Sequence, residues 1–213
     1  MDDNLFIAIE GIDGSGKSSQ ARLLGERMIR ESINAYRTFE PTDNYIGAII
    51  RNILKGGRKA DERTIAGLFL ADRLDHLLNE DYGIVKKLAE GFSVVSDRYY
   101  FSSYAYNGTH MDQDWVIAAN KICTQIRRPD INIFIDVPPE TCMQRIQARR
   151  GGIERYETME NLRKVRSKYT EAFDKLSGEE HVVIIDGNGT MEEIAEKIWL
   201  IVRQCTIRRH STQ

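Results

Sequence analysis

The chain has 213 residues, 41% of them hydrophobic and 29% charged, a balance that sustains one compact domain with a sizeable core and excludes intrinsic disorder. Thirty Lys and Arg against 32 Asp and Glu leave a net charge of −2, which argues against a protein wrapped in nucleic acid. No apolar run approaches the roughly 20 residues that cross a bilayer, and Met1-Asp2-Asp3-Asn4 shows no basic or apolar leader, so a cytoplasmic protein with no membrane partner is expected.

In chain order, residues 5–9 form an apolar run of strand length that leads through Glu10 into a glycine-rich turn. Residues 18–31 then place Ala21, Leu23, Leu24 and Met28 at helical spacing. Strand-length runs recur at 35–39, 93–96, 131–137 and 181–185. Helices are predicted over 45–54, 63–79, 84–90, 114–122, 139–149, 162–176 and 191–202. Strands alternating with helices predict an α/β fold, a five-stranded parallel sheet flanked by helices on both faces. No repeat, low-complexity tract or Pro/Ser linker divides the chain, so residues 1–213 read as one domain.

Pro139 suits the first turn of a helix and Gly151-Gly152 suits its stop. Across this break lies a basic cluster, Arg145, Arg149, Arg150, Arg155, Arg163, Lys164, Arg166 and Lys168, set against Glu154, Glu157 and Glu160. It predicts a small mobile lid at about residues 145–157, although a solvated helix face accounts for the same charges. Cys123, Cys142 and Cys205 stand far apart and read as buried thiols of a reducing compartment; His76, His110, His181 and His210 are equally scattered, so no transition-metal site is expected.

Gly11-Ile12-Asp13-Gly14-Ser15-Gly16-Lys17-Ser18, followed by Ser19, is the full G-x-x-x-x-G-K-[ST] pattern between a predicted strand and a predicted helix. Its glycines let backbone N–H groups turn around phosphate oxygens at a helix N-terminus. Lys17 supplies a mobile cation for the β/γ-phosphates, and the Ser18 hydroxyl suits Mg²⁺. These residues predict a P-loop NTPase fold with a nucleotide-phosphate site.

Asp97 and Arg98 follow a buried strand, at the edge where open α/β sheets bind ligands. The acid suits a metal-bound water or a reacting hydroxyl, and the guanidinium a phosphate; a surface Asp-Arg pair is the plainer alternative. Phe69, Arg73 and His76 share one helix face by their i, i+4, i+7 spacing. That face suits a planar, polar base, and a core Phe beside a surface Arg fits equally well.

Further motifs align with these in order and separation: Glu40-Pro41 leading to Gly47 and Ile50-Arg51, Phe69-Leu70-Ala71-Asp72-Arg73, Asp97-Arg98-Tyr99 followed by Ser102-Ser103-Tyr104-Ala105-Tyr106, Asp136-Val137-Pro138-Pro139-Glu140, and Glu154-Arg155-Tyr156-Glu157. Together they resemble the thymidylate kinase family of nucleoside monophosphate kinases over nearly the whole chain. The resemblance implies MgATP + dTMP → MgADP + dTDP, in dTTP biosynthesis, usually by a homodimer. It implies that Phe69 stacks on thymine, Arg73 bonds its O4, Ser103 reaches the pyrimidine edge, and Arg98 and Arg51 hold the acceptor phosphate. Asp13 would meet the 3′-hydroxyl and Tyr106 would crowd the 2′ position. Glu40, Pro41, Ser102 and Tyr156 would complete the acceptor site, Asp97 would join Ser18 at Mg²⁺, and Arg149 and Asn188 would serve ATP. The turn at 185–189 would lie against adenine, where a plain loop capping the next helix is the alternative reading.

Two departures stand out. The loop usually written Arg-Glu-Pro-Gly-Gly-Thr is here Phe39-Glu40-Pro41-Thr42-Asp43-Asn44. The arginine that some members carry inside the phosphate loop is here Gly14, so the resemblance moves the catalytic arginine to the lid, at Arg150 or Arg155. Segment 93–96 and the helix at 63–79 are expected to offer surfaces for self-association. A kinase of another nucleotide or of a deoxynucleoside, or a non-catalytic nucleotide-binding module, are the competing readings; Arg98 with Arg51 favours an acceptor already phosphorylated.

Overall fold

The computed structural model describes residues 4–148 and 155–211. Five strands, β1 (Phe6–Glu10), β2 (Ala35–Phe39), β3 (Ser93–Asp97), β4 (Ile131–Asp136) and β5 (Val182–Asp186), form one sheet in the order β2-β3-β1-β4-β5. Every pairing is parallel. Strands β1, β3 and β4 are almost wholly buried, whereas the edge strands β2 and β5 are half-exposed. Helices cover both faces of the inner strands, so these strands are continuous apolar runs rather than alternating ones. The register opposes Ile9 to Asp97 and to Ile133, which brings the ends of three strands to one edge.

Nine helices lie among the described residues: α1 (Lys17–Arg30), α2 (Tyr45–Leu54), α3 (Glu62–Leu78), α4 (Ile84–Ala89), α5 (Tyr100–Tyr106), α6 (Gln113–Ile126), α7 (Pro139–Ala148), α8 (Met159–Lys175) and α9 (Met191–Ser211). Side-chain caps open several of them. Asn44 accepts from Gly47 N at 2.9 Å, Asp61 from Arg63 N at 2.9 Å, and Thr158 from Asn161 N at 3.2 Å. One that lacks such a cap matters for function: α1, preceded by Gly16 at φ 94°, has no side-chain cap, so its first N–H groups are left for another acceptor.

The sequence reading misses α5 altogether. Tyr-Tyr-Phe-Ser-Ser-Tyr-Ala-Tyr is rich in residues that favour strands, yet it coils. The buried carboxylate of Glu10, at the end of β1, accepts from Tyr99 N at 2.8 Å and Ser102 N at 3.3 Å, supplying from another element the cap that the helix lacks in its own sequence. One further expectation is overturned: Ser93, Val94, Val95 and Ser96 lie in β3, inside the sheet between β2 and β1 and buried, so they offer no surface for self-association. On α3, by contrast, Leu78 is exposed.

Candidate active site

A cavity of about 760 Å³ opens at the carboxyl edge of the sheet, lined by the phosphate loop, Glu40 and Pro41, Phe69 of α3, Asp97 and Arg98, and Ser102, Ser103 and Tyr106 of α5. Most of the residues singled out from the sequence therefore share one wall-to-wall space.

The phosphate loop is shaped by local contacts. Ser15 N donates to Ile12 O at 3.1 Å, and Gly14 and Gly16 sit at φ 81° and 94°, a region costly for side chains. A Cβ on Gly14 would stand 2.5 Å from the Cys142 carbonyl oxygen at the start of α7. Lys17 is buried beneath the loop, with Nζ 3.3 Å from Ile12 O and 3.4 Å from Asp13 Oδ1. Burial and the neighbouring Arg98 draw its pKa down, partly offset by Asp13 and Asp97. Ser18 and Ser19 line the cavity just beyond it.

Arg98 is the hinge between the two halves of the site. Its φ of 73° is unusual for a side chain of this size, and its backbone is held by a bond from its N–H to Ile9 O at 3.0 Å and by Ser96 Oγ donating to its carbonyl at 2.7 Å. The guanidinium forms a short ion pair with Asp13, donates to Ser102 Oγ at 3.0 Å, and lies 4.8 Å from the centre of the Tyr106 ring. The Tyr106 hydroxyl accepts from Asp13 N at 3.0 Å. Although burial pushes the Asp13 carboxyl upward, Arg98 and Lys17 outweigh it and hold the group below its ordinary range. Asp97 keeps Oδ1 buried without a partner. An orphaned carboxylate oxygen and the exposed Ser18, both on the wall of this cavity, are a donor set that suits a hard divalent cation or its waters.

Arg73 is not among the residues that line the cavity. It is fully buried, behind the cavity wall. Its Nε and Nη2 donate to Glu40 Oε2 at 2.9 and 2.6 Å, Nη1 to Ser103 Oγ and Asn120 Oδ1 at 2.9 and 2.6 Å, and Nη2 also to Tyr99 O at 3.2 Å. All five guanidinium donors are thus engaged within the protein, and the group facing the cavity is Ser103. Arg51 likewise points elsewhere: it donates to Pro41 O at 3.0 Å and to Thr42 O, and pairs with Asp43 at 3.4 Å. It braces the loop whose two glycines are missing, and Asp72 takes Thr42 N and Oγ1 at 2.8 and 2.6 Å on the other side.

On the lid side, Arg155 donates to Glu62 Oε1 at 2.6 Å and the Tyr156 hydroxyl to Glu62 Oε2 at 2.7 Å. Tyr156 lines the cavity, and Arg155 does not. Arg149 and Arg150 fall outside the described residues. At the far end, Gly189, Met191, Ile194 and Gln20 close the cavity, while Asn188 is exposed and bonded to Asp186 Oδ1 at 3.0 and 2.6 Å.

Two of the lining residues that the sequence reading overlooked are Arg145 and Asn107. Arg145, counted only within the basic cluster, reaches back to Gly14 O, Ser15 O and Gly187 O at 3.3, 3.4 and 3.5 Å. Asn107 is buried in the cavity wall beside Tyr106; in sequence it precedes Gly108 and reads as a turn residue.

The model of the family described as thymidylate kinase matches residues 9–198. Among curated relatives, a "Probable thymidylate kinase" of Methanocaldococcus jannaschii is 35% identical over 200 residues, covering 93% of this chain and 95% of the relative. Proteins of the same name from Pyrobaculum aerophilum and Thermococcus onnurineus are 38% and 34% identical, covering 93% and 96% of this chain and 96% and 100% of the relatives. With a phosphate loop opening into the cavity and matches that run nearly end to end, the chain belongs to the thymidylate kinase family.

Proposed function

We infer that the protein transfers the γ-phosphoryl group of ATP to dTMP, giving ADP and dTDP. One observation carries this reading: the uncapped start of α1 and the wall formed by Phe69, Ser103 and Asn107 open into the same cavity, with Arg98 between them. A phosphate on each side of Arg98 is what such a transfer brings together.

An acceptor phosphate is a dianion near pH 7, so no strong base is needed and catalysis rests on positioning and charge neutralisation. In this reading the loop N–H groups and Lys17 hold the donor phosphates, and Arg98 turns its fork toward the acceptor as Asp13 releases it for the sugar 3′-hydroxyl. Ser18 and Asp97 would hold Mg²⁺, which supplies neutralisation of the phosphate charge. Phe69 offers a face for the base. Ser103 Oγ already accepts from Arg73, which leaves its hydroxyl proton to donate to the O4 carbonyl; a direct bond from Arg73 to O4 requires Arg73 to give up one of its present partners. Tyr106 would crowd the 2′ position of the sugar, and Tyr156 would close the acceptor side. Arg145, Gln20 and the turn at 187–189 would flank the adenine, and a lid arginine, Arg150 or Arg155, would neutralise the transferring group.

We further propose a cytoplasmic homodimer joined through the exposed face of α3. No helix among the described residues is long and apolar enough to cross a membrane. Incubation with MgATP and a panel of dTMP, dUMP, dGMP and thymidine, following ADP, tests the activity: the highest kcat/KM is expected for dTMP, and ADP formation independent of any acceptor would refute transfer. Light scattering tests the dimer.

A further inference from the structure

The mechanism above leaves His76 of α3 unused, although it is fully buried against the acceptor loop. Its Nδ1 lies 3.1 Å from Glu40 Oε1 and its Nε2 lies 2.6 Å from Thr38 Oγ1. Arg73 binds the other oxygen of Glu40, and Asp72, the remaining charged group of this cluster, is taken up by Thr42. Of these residues, Glu40 lines the cavity. Burial pushes the Glu40 carboxyl upward, but Arg73 and His76 more than offset it and keep it ionised.

An ionised carboxylate only accepts, so a proton sits on His76 Nδ1 in this contact, and the Thr38 hydroxyl holds the opposite ring nitrogen. Thr38 is itself fixed by the pairing of β2 with β3, opposite Ser96. A guanidinium fork prefers both oxygens of a carboxylate. Arg73 nonetheless binds Oε2 alone, because the imidazole holds Oε1.

We propose that His76 is a positioning residue for the acceptor: Thr38 fixes its ring plane, and its Nδ1–H stops Glu40 from rotating into a two-oxygen embrace with Arg73, keeping this residue of the cavity wall in place. The inference rests on reading that cavity as the acceptor site.

Steady-state kinetics of H76N, H76Q, H76L and T38V test it. The amide nitrogen of Asn falls near the place of Nδ1 and that of Gln near the place of Nε2. H76L and H76Q are expected to raise the KM for dTMP by roughly 10–100-fold, the factor that goes with losing a hydrogen bond to a charged group, with the KM for ATP unchanged. H76N should stay within about threefold of the wild type, and T38V should shift the dTMP KM in the same direction as H76L but less. Should H76L not fold, the contrast between H76N and H76Q decides. Equal dTMP KM values for H76N and H76Q, or parallel rises in the KM for dTMP and ATP, would overturn the proposal. Absence of dTMP-dependent ADP from the wild type would instead overturn the functional reading, so the two failures are distinct.

Discussion

Arg98 shows how much one residue carries. Its positive φ, the bond to Ile9 O and the stacking on Tyr106 aim a planar fork at the cavity, and a lysine offers only a point charge on a flexible stem. Arg98→Lys is therefore expected to raise the KM for dTMP at least about tenfold, measured against an unchanged melting temperature. Gly14 makes the opposite case. At φ 81° and, for an added Cβ, 2.5 Å from the Cys142 carbonyl oxygen, the position has no room for a side chain, so Gly14→Arg should destabilise the fold by about 1–3 kcal/mol and leave kcat no higher, as read by thermal unfolding and ADP release. Of the three cysteines expected to be buried, Cys123 and Cys142 are, while Cys205 is only partly so. Burial pushes the thiols of Cys123 and Cys142 up to about 11, so neither is a thiolate at pH 7.5, and mass spectrometry after brief iodoacetamide treatment of the native protein should find both unmodified.

At the scale of elements, α5 and the lid exit are assembled from partners distant in sequence. Glu10 caps α5 through Tyr99 and Ser102, and its other oxygen takes Ser102 Oγ and Tyr169 OH at 2.7 and 2.8 Å. No local pattern announces that arrangement, which is why aromatic residues with strand preference form a helix here. At the lid, a single carboxylate, Glu62 in the first turn of α3, receives both Arg155 and Tyr156. This clasp ties the exit of the lid to the helix that bears Phe69. Glu62→Ala should lower kcat/KM for dTMP several-fold while sparing stability, since half-exposed ion pairs contribute no more than about 1 kcal/mol. An unchanged kcat/KM would mean that Tyr156 needs no support from Glu62.

For the molecule as a whole, the inner strands and the buried charges pull in different directions. Glu40 and Asp13 are held ionised by Arg73, His76, Arg98 and Lys17. Their folded pKa values lie below those of the unfolded chain, so the stability they contribute is full above about pH 4–5 and is lost as the pH falls through the folded values. Glu10 and Asp72, raised by burial, act in the reverse sense and weaken folding once the pH exceeds the unfolded carboxylate range. Melting temperatures between pH 7 and 3 should decline toward the acid end, and the decline should be shallower in Glu40→Gln. The strands, the phosphate loop and, α5 apart, the helices that alternate with them were legible in the sequence, because apolar periodicity, a glycine pattern and terminal signals are properties of neighbouring residues. Residues 45–54 became a helix over the same span as predicted, and the five strands shifted by at most a residue at either end. What the tertiary structure alone decided is which charges meet: Arg73 turned inward to Glu40 and Ser103, Arg51 turned to the loop, Arg155 to Glu62, and Arg145 to the phosphate loop. A guanidinium reaches several ångströms in any direction on a flexible stem, so its partner is set by packing between elements, and no spacing along the chain encodes it.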